Sequence, residues 1–252
     1  MKSTASTLYL VALATFAVAD RTFTVKNNCA YTVWPALYAP PNLNSAAPSQ
    51  APGWELSAGG TTTFTVPDAW VSGLLWARTD CDFSTVQSSA SCATGGCDGG
   101  LVCTGPPVDG TPVTVAEFTF TVSPSVPDNT DVSIVDGFNV PIRVDNNAGC
   151  PISTCPVNLT PICPTALQYK DASGAVVGCL SDCQVDPDPA NSPSCCTGSY
   201  NTAATCPPSH VPDYAFFKNN CPDSYVYAYD ESSGTPLFVC SAKPGYTITF
   251  CP

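Results

Sequence analysis

Short stretches of alternating apolar and polar residues recur along the chain and predict β-strands. The alternation is clearest in RTFTV at 21–25, TTTFTV at 61–66, EFTFTV at 117–122 and GYTITFC at 245–251. A period of two places the apolar side chains of each stretch on one face of a strand. Few segments have the period of an amphipathic helix. The pattern therefore predicts an all-β domain, a sandwich or a partly closed barrel.

The first 19 residues differ from the rest and have the features of a secretory signal peptide. Lys2 gives a positive start, LYLVALATFAVA at 8–19 is apolar, and AVA at 17–19 is a small-x-small cleavage pattern. A membrane anchor is the alternative, but spanning a bilayer takes about 20 apolar residues. We expect cleavage after Ala19 and a secreted mature chain, located outside the cell or in the cell wall, that begins at Asp20.

The cysteines indicate a disulfide framework. All sixteen follow the predicted cleavage site, and an even number in a secreted chain favours pairing. Zinc is the alternative, but it needs regular short spacings, often with histidines. The chain has one histidine, His210, no repeated CxxC and no GxSxG of a serine hydrolase. We expect eight disulfides, no metal and no cofactor, although spacing alone leaves the pairing open.

The charge limits the classes of partner. Without Lys2, seven basic residues face 20 acidic ones, which gives a net charge of −13. Nucleic-acid binding needs a basic footprint, and anionic membrane surfaces attract basic segments. We therefore expect neither partner. The charge suits a neutral partner such as a polysaccharide, and no later segment is apolar enough to span a membrane. We expect a monomer.

Several motifs resemble those of the thaumatin-like proteins, the pathogenesis-related group 5 type. The resemblance extends over essentially the whole mature chain and includes the order of all sixteen cysteines. The motifs are NNCAYTVW (27–34), WARTDC (76–81), CATGGCDGGLVC (92–103), AEF (116–118), DVSIVDGFNVP (131–141), FFKNNCPDSYVY (216–227) and the final TFCP.

The resemblance implies a flattened β-sandwich core with a small disulfide loop and a large disulfide-rich lobe. The core then covers about 20–80, 114–155 and 222–252 of the thaumatin-like domain 20–252, the loop about 81–113 and the lobe about 156–221. The implied pairs are Cys29–Cys251, Cys81–Cys92, Cys97–Cys103, Cys150–Cys240, Cys155–Cys221, Cys163–Cys179, Cys183–Cys195 and Cys196–Cys206.

Family members bind β-1,3-glucans and some hydrolyse them, in a cleft with one arginine and four acids. The acids match Glu117, Asp131, Asp136 and Asp223, whereas the arginine position holds Leu74. Glycoside hydrolysis uses one carboxylic acid and one carboxylate. Glu117 lies in an apolar strand pattern and is the expected acid. Asp136 precedes a glycine at a turn and is the expected base or nucleophile.

Aromatic side chains beside these acids are candidates for stacking on sugar rings. We expect Asp131, Asp223, Tyr225 and Phe138 to bind the substrate. The alternative is that Asp131 and Asp136 only cap turns.

The second functional class is a protein without catalytic activity that acts in defence against fungi or in the cell wall. Asn158 begins the sequon NLT and is the expected glycosylation site.

Overall fold

The computed structural model describes residues 20–44, 46–123 and 125–252. The signal peptide predicted at 1–19 lies outside the described residues. None of the helices in the described part is long and apolar enough to cross a membrane.

Strands dominate the described part of the chain, and the one α-helix there, α1, spans Tyr214–Asn220. The strands are β1 (Arg21–Asn27), β2 (Trp34–Tyr38), β3 (Thr61–Val66), β4 (Gly73–Cys81), β5 (Cys92–Thr94), β6 (Val115–Thr119), β7 (Asp128–Ser133), β8 (Ile142–Asn146), β9 (Ser153–Cys155), β10 (Gln168–Lys170), β11 (Val176–Cys179), β12 (Phe238–Cys240) and β13 (Tyr246–Phe250). Single-turn 3-10 helices occupy Ser89–Ser91, Thr160–Ile162, Thr165–Leu167, Pro189–Asn191, Gly198–Tyr200, Pro208–His210 and Asp230–Ser233.

Two sheets form the sandwich. One has five strands in the order β3-β1-β13-β8-β9, and the other has six in the order β12-β7-β6-β4-β2, with β5 pairing on the end of β4. Most neighbours are antiparallel, but β1 and β13 run parallel and join the two ends of the chain. The structure is the disulfide-rich β-sandwich that the resemblance implies.

Aromatic side chains fill the space between the two sheets. Phe23 contacts Phe118 with ring centroids 4.9 Å apart, and Phe120 stacks on Tyr246 at 5.4 Å. Trp70 packs over Phe118. Each large buried ring contributes apolar area and a favourable tilted or offset contact to the core. The alternation seen in the sequence reflects this arrangement, because the intervening residues face outward.

The outer face of the six-stranded sheet is apolar at one end. Ala36, Trp76 and Val115 are buried there beneath the small disulfide loop, which the pair Cys97–Cys103 closes. Arg78 is also buried, and its guanidinium donates to three backbone oxygens of two segments, that of Trp34 on β2 and those of Gly100 and Leu101 in the loop. Burial lowers the pKa of Arg78 to about 10. This arginine therefore anchors the loop to the sheet.

Three of the other disulfides join distant segments, Cys29–Cys251, Cys150–Cys240 and Cys155–Cys221, and three lie within the lobe, Cys163–Cys179, Cys183–Cys195 and Cys196–Cys206. All sixteen cysteines are paired as the resemblance implies. The lobe at 156–221 contributes Leu159, Leu167 and Phe217 to the main core and has only a small second cluster, in which Cys196, Cys206 and Val211 pack with Tyr227. Cross-links that restrict the unfolded chain, typically about 2–4 kcal/mol each, compensate for this.

Candidate functional site

Three neighbouring strands bring Leu74, Glu117 and Asp131 into one row. Leu74 on β4 lies opposite Glu117 on β6, and Glu117 lies opposite Asp131 on β7. Residues that face each other in antiparallel strands share a face, with their Cβ atoms about 4.5–5.5 Å apart. The row lies on the outer face, next to the apolar end that the small disulfide loop covers. The strand register thus places two carboxylates side by side.

Asp136 reaches the same site from the turn after β7. Its backbone oxygen accepts from Val113 at 2.9 Å, and the next residue, Gly137, has φ +80°. A Cβ at Gly137 would lie 2.6 Å from the carbonyl oxygen of Cys179, so only glycine fits this turn. The turn therefore holds Asp136 in a fixed position beside the row.

The segment after α1 supplies the opposite wall. Tyr225 pairs with the end of β7, donating its N–H to Val132 at 2.9 Å. Its hydroxyl donates to Glu231 at 3.2 Å. The resulting acidic cleft has two adjoining parts of about 280 and 350 Å³, which share Glu117 and Asp131. Leu74 lines the first part, and Asp136, Tyr225 and Glu231 line the second.

Burial and crowding of like charges raise the pKa values of three carboxyl groups. Burial, and then the charge of Asp136, raises the pKa of Glu117 to about 7. Burial, followed by the charges of Glu117 and Glu231, raises the pKa of Asp131 well above its usual range. Burial and Asp109 raise the pKa of Asp136. The cleft therefore holds protons on some of its carboxyl groups near neutral pH.

Asp131 is the most enclosed of these acids. Its residue is 8% exposed, and its Oδ2 has no hydrogen-bond partner among the described residues. Buried polar atoms are nearly always paired, so an unpaired carboxylate oxygen on a residue that lines the cleft indicates that a proton or a donor from a ligand completes its environment.

The structure brings four of the six predicted substrate and catalytic residues together: Glu117, Asp131, Asp136 and Tyr225. Asp223 does not line either part of the cleft; its backbone pairs with Thr154, and its carbonyl oxygen accepts from Ser153. The prediction for Phe138 is wrong, because this side chain is fully buried in the core and cannot contact a substrate.

Sequence reasoning missed Glu231, which comes from a 3-10 helix far along the chain. The one feature of the sequence that could have pointed to Glu231 is that it follows the predicted site residue Tyr225 by six positions. Asn158, the predicted glycosylation site, is exposed away from the cleft, and glycosylation stays a prediction.

The fold and the site define a disulfide-rich β-sandwich with an acidic cleft on its six-stranded sheet. Residues 27–252 match the Thaumatin family, and the chain belongs to this family. Thaumatin-like protein 2 of Prunus persica is 40% identical over 238 residues, which cover 92% of this chain and 90% of the relative. A Prunus avium protein named glucan endo-1,3-beta-glucosidase is 40% identical over 240 residues, with the same coverages.

Among solved structures, a laminaripentaose-producing β-1,3-glucanase in complex with laminaritetraose has a similar fold. The TM-score is 0.55 and the identity 14%, and the match covers 93% of this chain and 99% of that one. At this identity the likeness concerns the fold.

Proposed function

We propose that this protein is secreted, binds β-1,3-glucan in the acidic cleft and hydrolyses internal bonds of that glucan weakly. The observation that carries the proposal is the meeting of Glu117 and Asp136 in one open cleft, with the pKa of Glu117 raised to about 7. The Prunus avium relative named as a glucan endo-1,3-beta-glucosidase supports the choice of glucan.

Glu117 acts as the general acid in this proposal. A group with a pKa of about 7 is largely protonated below pH 7 and can donate its proton to the glycosidic oxygen. Asp136 then serves as the carboxylate, either attacking the sugar directly or activating water. Tyr225, at the wall of the cleft, offers an aromatic face to a sugar ring, and a protonated Asp131 donates a hydrogen bond to a hydroxyl group.

The test is the release of reducing ends from laminarin, a soluble β-1,3-glucan, beside a pull-down on insoluble β-1,3-glucan. Glu117→Gln is expected to reduce hydrolysis at least about 100-fold, the usual contribution of general acid catalysis, and to leave glucan binding intact. Asp136→Asn should do the same. Glu55→Gln, at an exposed position outside the cleft, is the matched control. Parent-level hydrolysis in Glu117→Gln would remove this residue from catalysis.

A binding protein without hydrolysis is the second candidate, with a role in defence or in the cell wall. Leu74 favours it, because no cation stands in the row to keep a neighbouring carboxyl group ionised at low pH. Glucan retained in the pull-down, with no reducing ends released by the parent protein, would select this candidate.

A further inference from the structure

The acidic cleft contains an unbalanced set of charges. Glu117, Asp131, Asp136 and Glu231 line it, and none of the described residues that line it is basic. Like charges directly opposite each other destabilise a strand pair, and Glu117 and Asp131 stand in that relation. Something other than this chain must supply a positive charge if these acids are to be ionised together.

Each basic residue in the described part of the chain either binds groups outside the cleft or lies on another part of the fold. Arg78 is buried against backbone oxygens beneath the small disulfide loop. Lys26 lies on β1 of the other sheet, and Lys170 lies on the β10–β11 hairpin. Four form ion pairs with acids outside the cleft: Arg21, Arg143, Lys218 and Lys243.

Leu74 fills the place where a cation would be most effective. It lies directly opposite Glu117, and the cleft extends from it to Asp131. The buried Oδ2 of Asp131 has no partner among the described residues, and Asp131 lines both parts of the cleft. The row therefore lacks a positive charge, and its only donors are protons held by its own carboxyl groups.

An ammonium group supplies a positive charge and additional donors. It is a compact charge whose three N–H donors can contact two neighbouring carboxylates. A metal ion needs several ligands that converge on one point, and the described residues contain no group of three or more acidic, histidine or cysteine side chains arranged to hold one. Tyr225 beside the row provides a surface for the ring that carries the amine.

We propose that the acidic cleft binds a saccharide with free amino groups, a glucosamine-type chain whose ammonium contacts Asp131 and Glu117. The inference rests on the proposed function insofar as it treats the cleft as a saccharide site. A neutral glucan leaves Glu117 and Asp131 protonated, whereas an amino sugar draws these two acids into the ionised form and releases protons. The groups around Asp131 are Glu117, Glu231 and Tyr225, and those around Glu117 include Asp136.

The test is isothermal titration calorimetry at pH 6 with three hexasaccharides: β-1,4-linked glucosamine, its fully N-acetylated form and laminarihexaose. The glucosamine hexamer is expected to bind at least about tenfold more tightly than the acetylated one, with proton release seen as a heat that depends on the buffer. Equal affinity for the two would overturn the inference.

Variants separate the cleft from the general negative charge of the protein. Asp131→Asn should remove the tenfold preference and the proton release, whereas Asp188→Asn, at an exposed position, should change neither. Leu74→Arg should weaken the glucosamine hexamer at least about tenfold because the guanidinium takes the place of the ammonium, and Leu74→Met should not. A preference that survives both Asp131→Asn and Leu74→Arg would contradict the assignment.

Laminarihexaose separates failure of this inference from failure of the proposed function. If laminarihexaose binds and the glucosamine hexamer has no advantage, the inference fails alone. If the glucosamine hexamer binds with the stated preference and laminarihexaose does not bind, the proposed glucan function fails and the amino-sugar site stands. If neither binds, both fail.

Discussion

Asp128 and Asp131 lie three residues apart on β7, and the charged groups around them have opposite signs. Asp128 is fully buried and accepts hydrogen bonds from Arg21 and from Lys243, the latter at 3.0 Å. The Arg21 guanidinium in turn lies over the ring of Phe120, 4.1 Å from its centroid. Asp131 is almost as deeply enclosed but has only acids and Tyr225 for charged or titratable neighbours.

The difference separates structural acids from candidate functional ones. Side chains three apart on a strand point to opposite faces, so one strand can present both kinds. Two cations compensate the charge that Asp128 buries, which leaves it no capacity for a ligand. Asp131 has an unpaired oxygen and a raised pKa, so its environment is complete only when a proton or a ligand is present.

Asp128→Asn is expected to have the largest effect on stability. Removing one partner of a buried ion pair leaves the other charge uncompensated, which typically costs about 3–5 kcal/mol. Arg21 is 4% exposed and would be left with Asp68 as its acidic partner, so the expected loss lies at the lower end of this range. Guanidinium unfolding at pH 7 with the disulfides intact measures the loss.

The matched control is Asp145→Asn, which breaks the exposed pair between Arg143 and Asp145. Exposed pairs contribute about 0–1 kcal/mol, so this variant should unfold almost like the parent. Equal losses in Asp128→Asn and Asp145→Asn would show that burial of the Asp128 pair has no energetic consequence.

Asp131→Asn is expected to act in the opposite direction and to stabilise the fold at pH 8. The pKa of Asp131 is raised in the folded state, so the folded protein holds a proton that the unfolded chain has lost. Stability therefore falls as the pH rises above about 4 towards the folded-state pKa. Asparagine removes that dependence and can donate to Glu117.

Unfolding at pH 4 and pH 8 measures this second effect. At pH 4 parent and variant should be nearly equal, and the gain should appear only at pH 8. Asp188→Asn, at an exposed position, should show no gain at either pH. A loss of stability in Asp131→Asn at pH 8 would mean that the carboxylate is compensated within the chain, as that of Asp128 is.

Local alternation predicted much of the sandwich. The stretches at 21–25 and 61–66 became β1 and β3 because each buries one face against the aromatic core. The resemblance pointed to Glu117, Asp131 and Asp136 as cleft acids. No local pattern revealed the row itself, because the pairing of Leu74, Glu117 and Asp131 depends on the register of three strands.

The errors have a physical reason as well. Phe138 follows Asp136 by two residues, but the turn at Gly137 directs the two side chains to different places, one to the core and one to the cleft. Glu231 reaches the cleft through a backbone path that starts at Tyr225 and depends on tertiary contacts with β7. Neither outcome follows from the spacing of residues along the chain.

Leu74→Arg is expected to have the smallest effect on stability and to make the surroundings of Asp131 more like those of Asp128. A cation within about 4–6 Å favours the charged form of a carboxyl group and lowers its pKa by about 1–3 units. Leu74 lies opposite Glu117, whose pKa is about 7, so the variant should lower that pKa by at least about one unit. If Glu117 is the general acid, the pH above which laminarin hydrolysis declines should fall by the same amount.

A titration of Glu117 followed by carbon-13 NMR measures the shift even where no hydrolysis occurs. Leu74→Met keeps the position neutral and should leave the titration unchanged. An unchanged pKa in Leu74→Arg would show that the introduced guanidinium turns away from the row and that the register alone does not determine the electrostatics of the cleft.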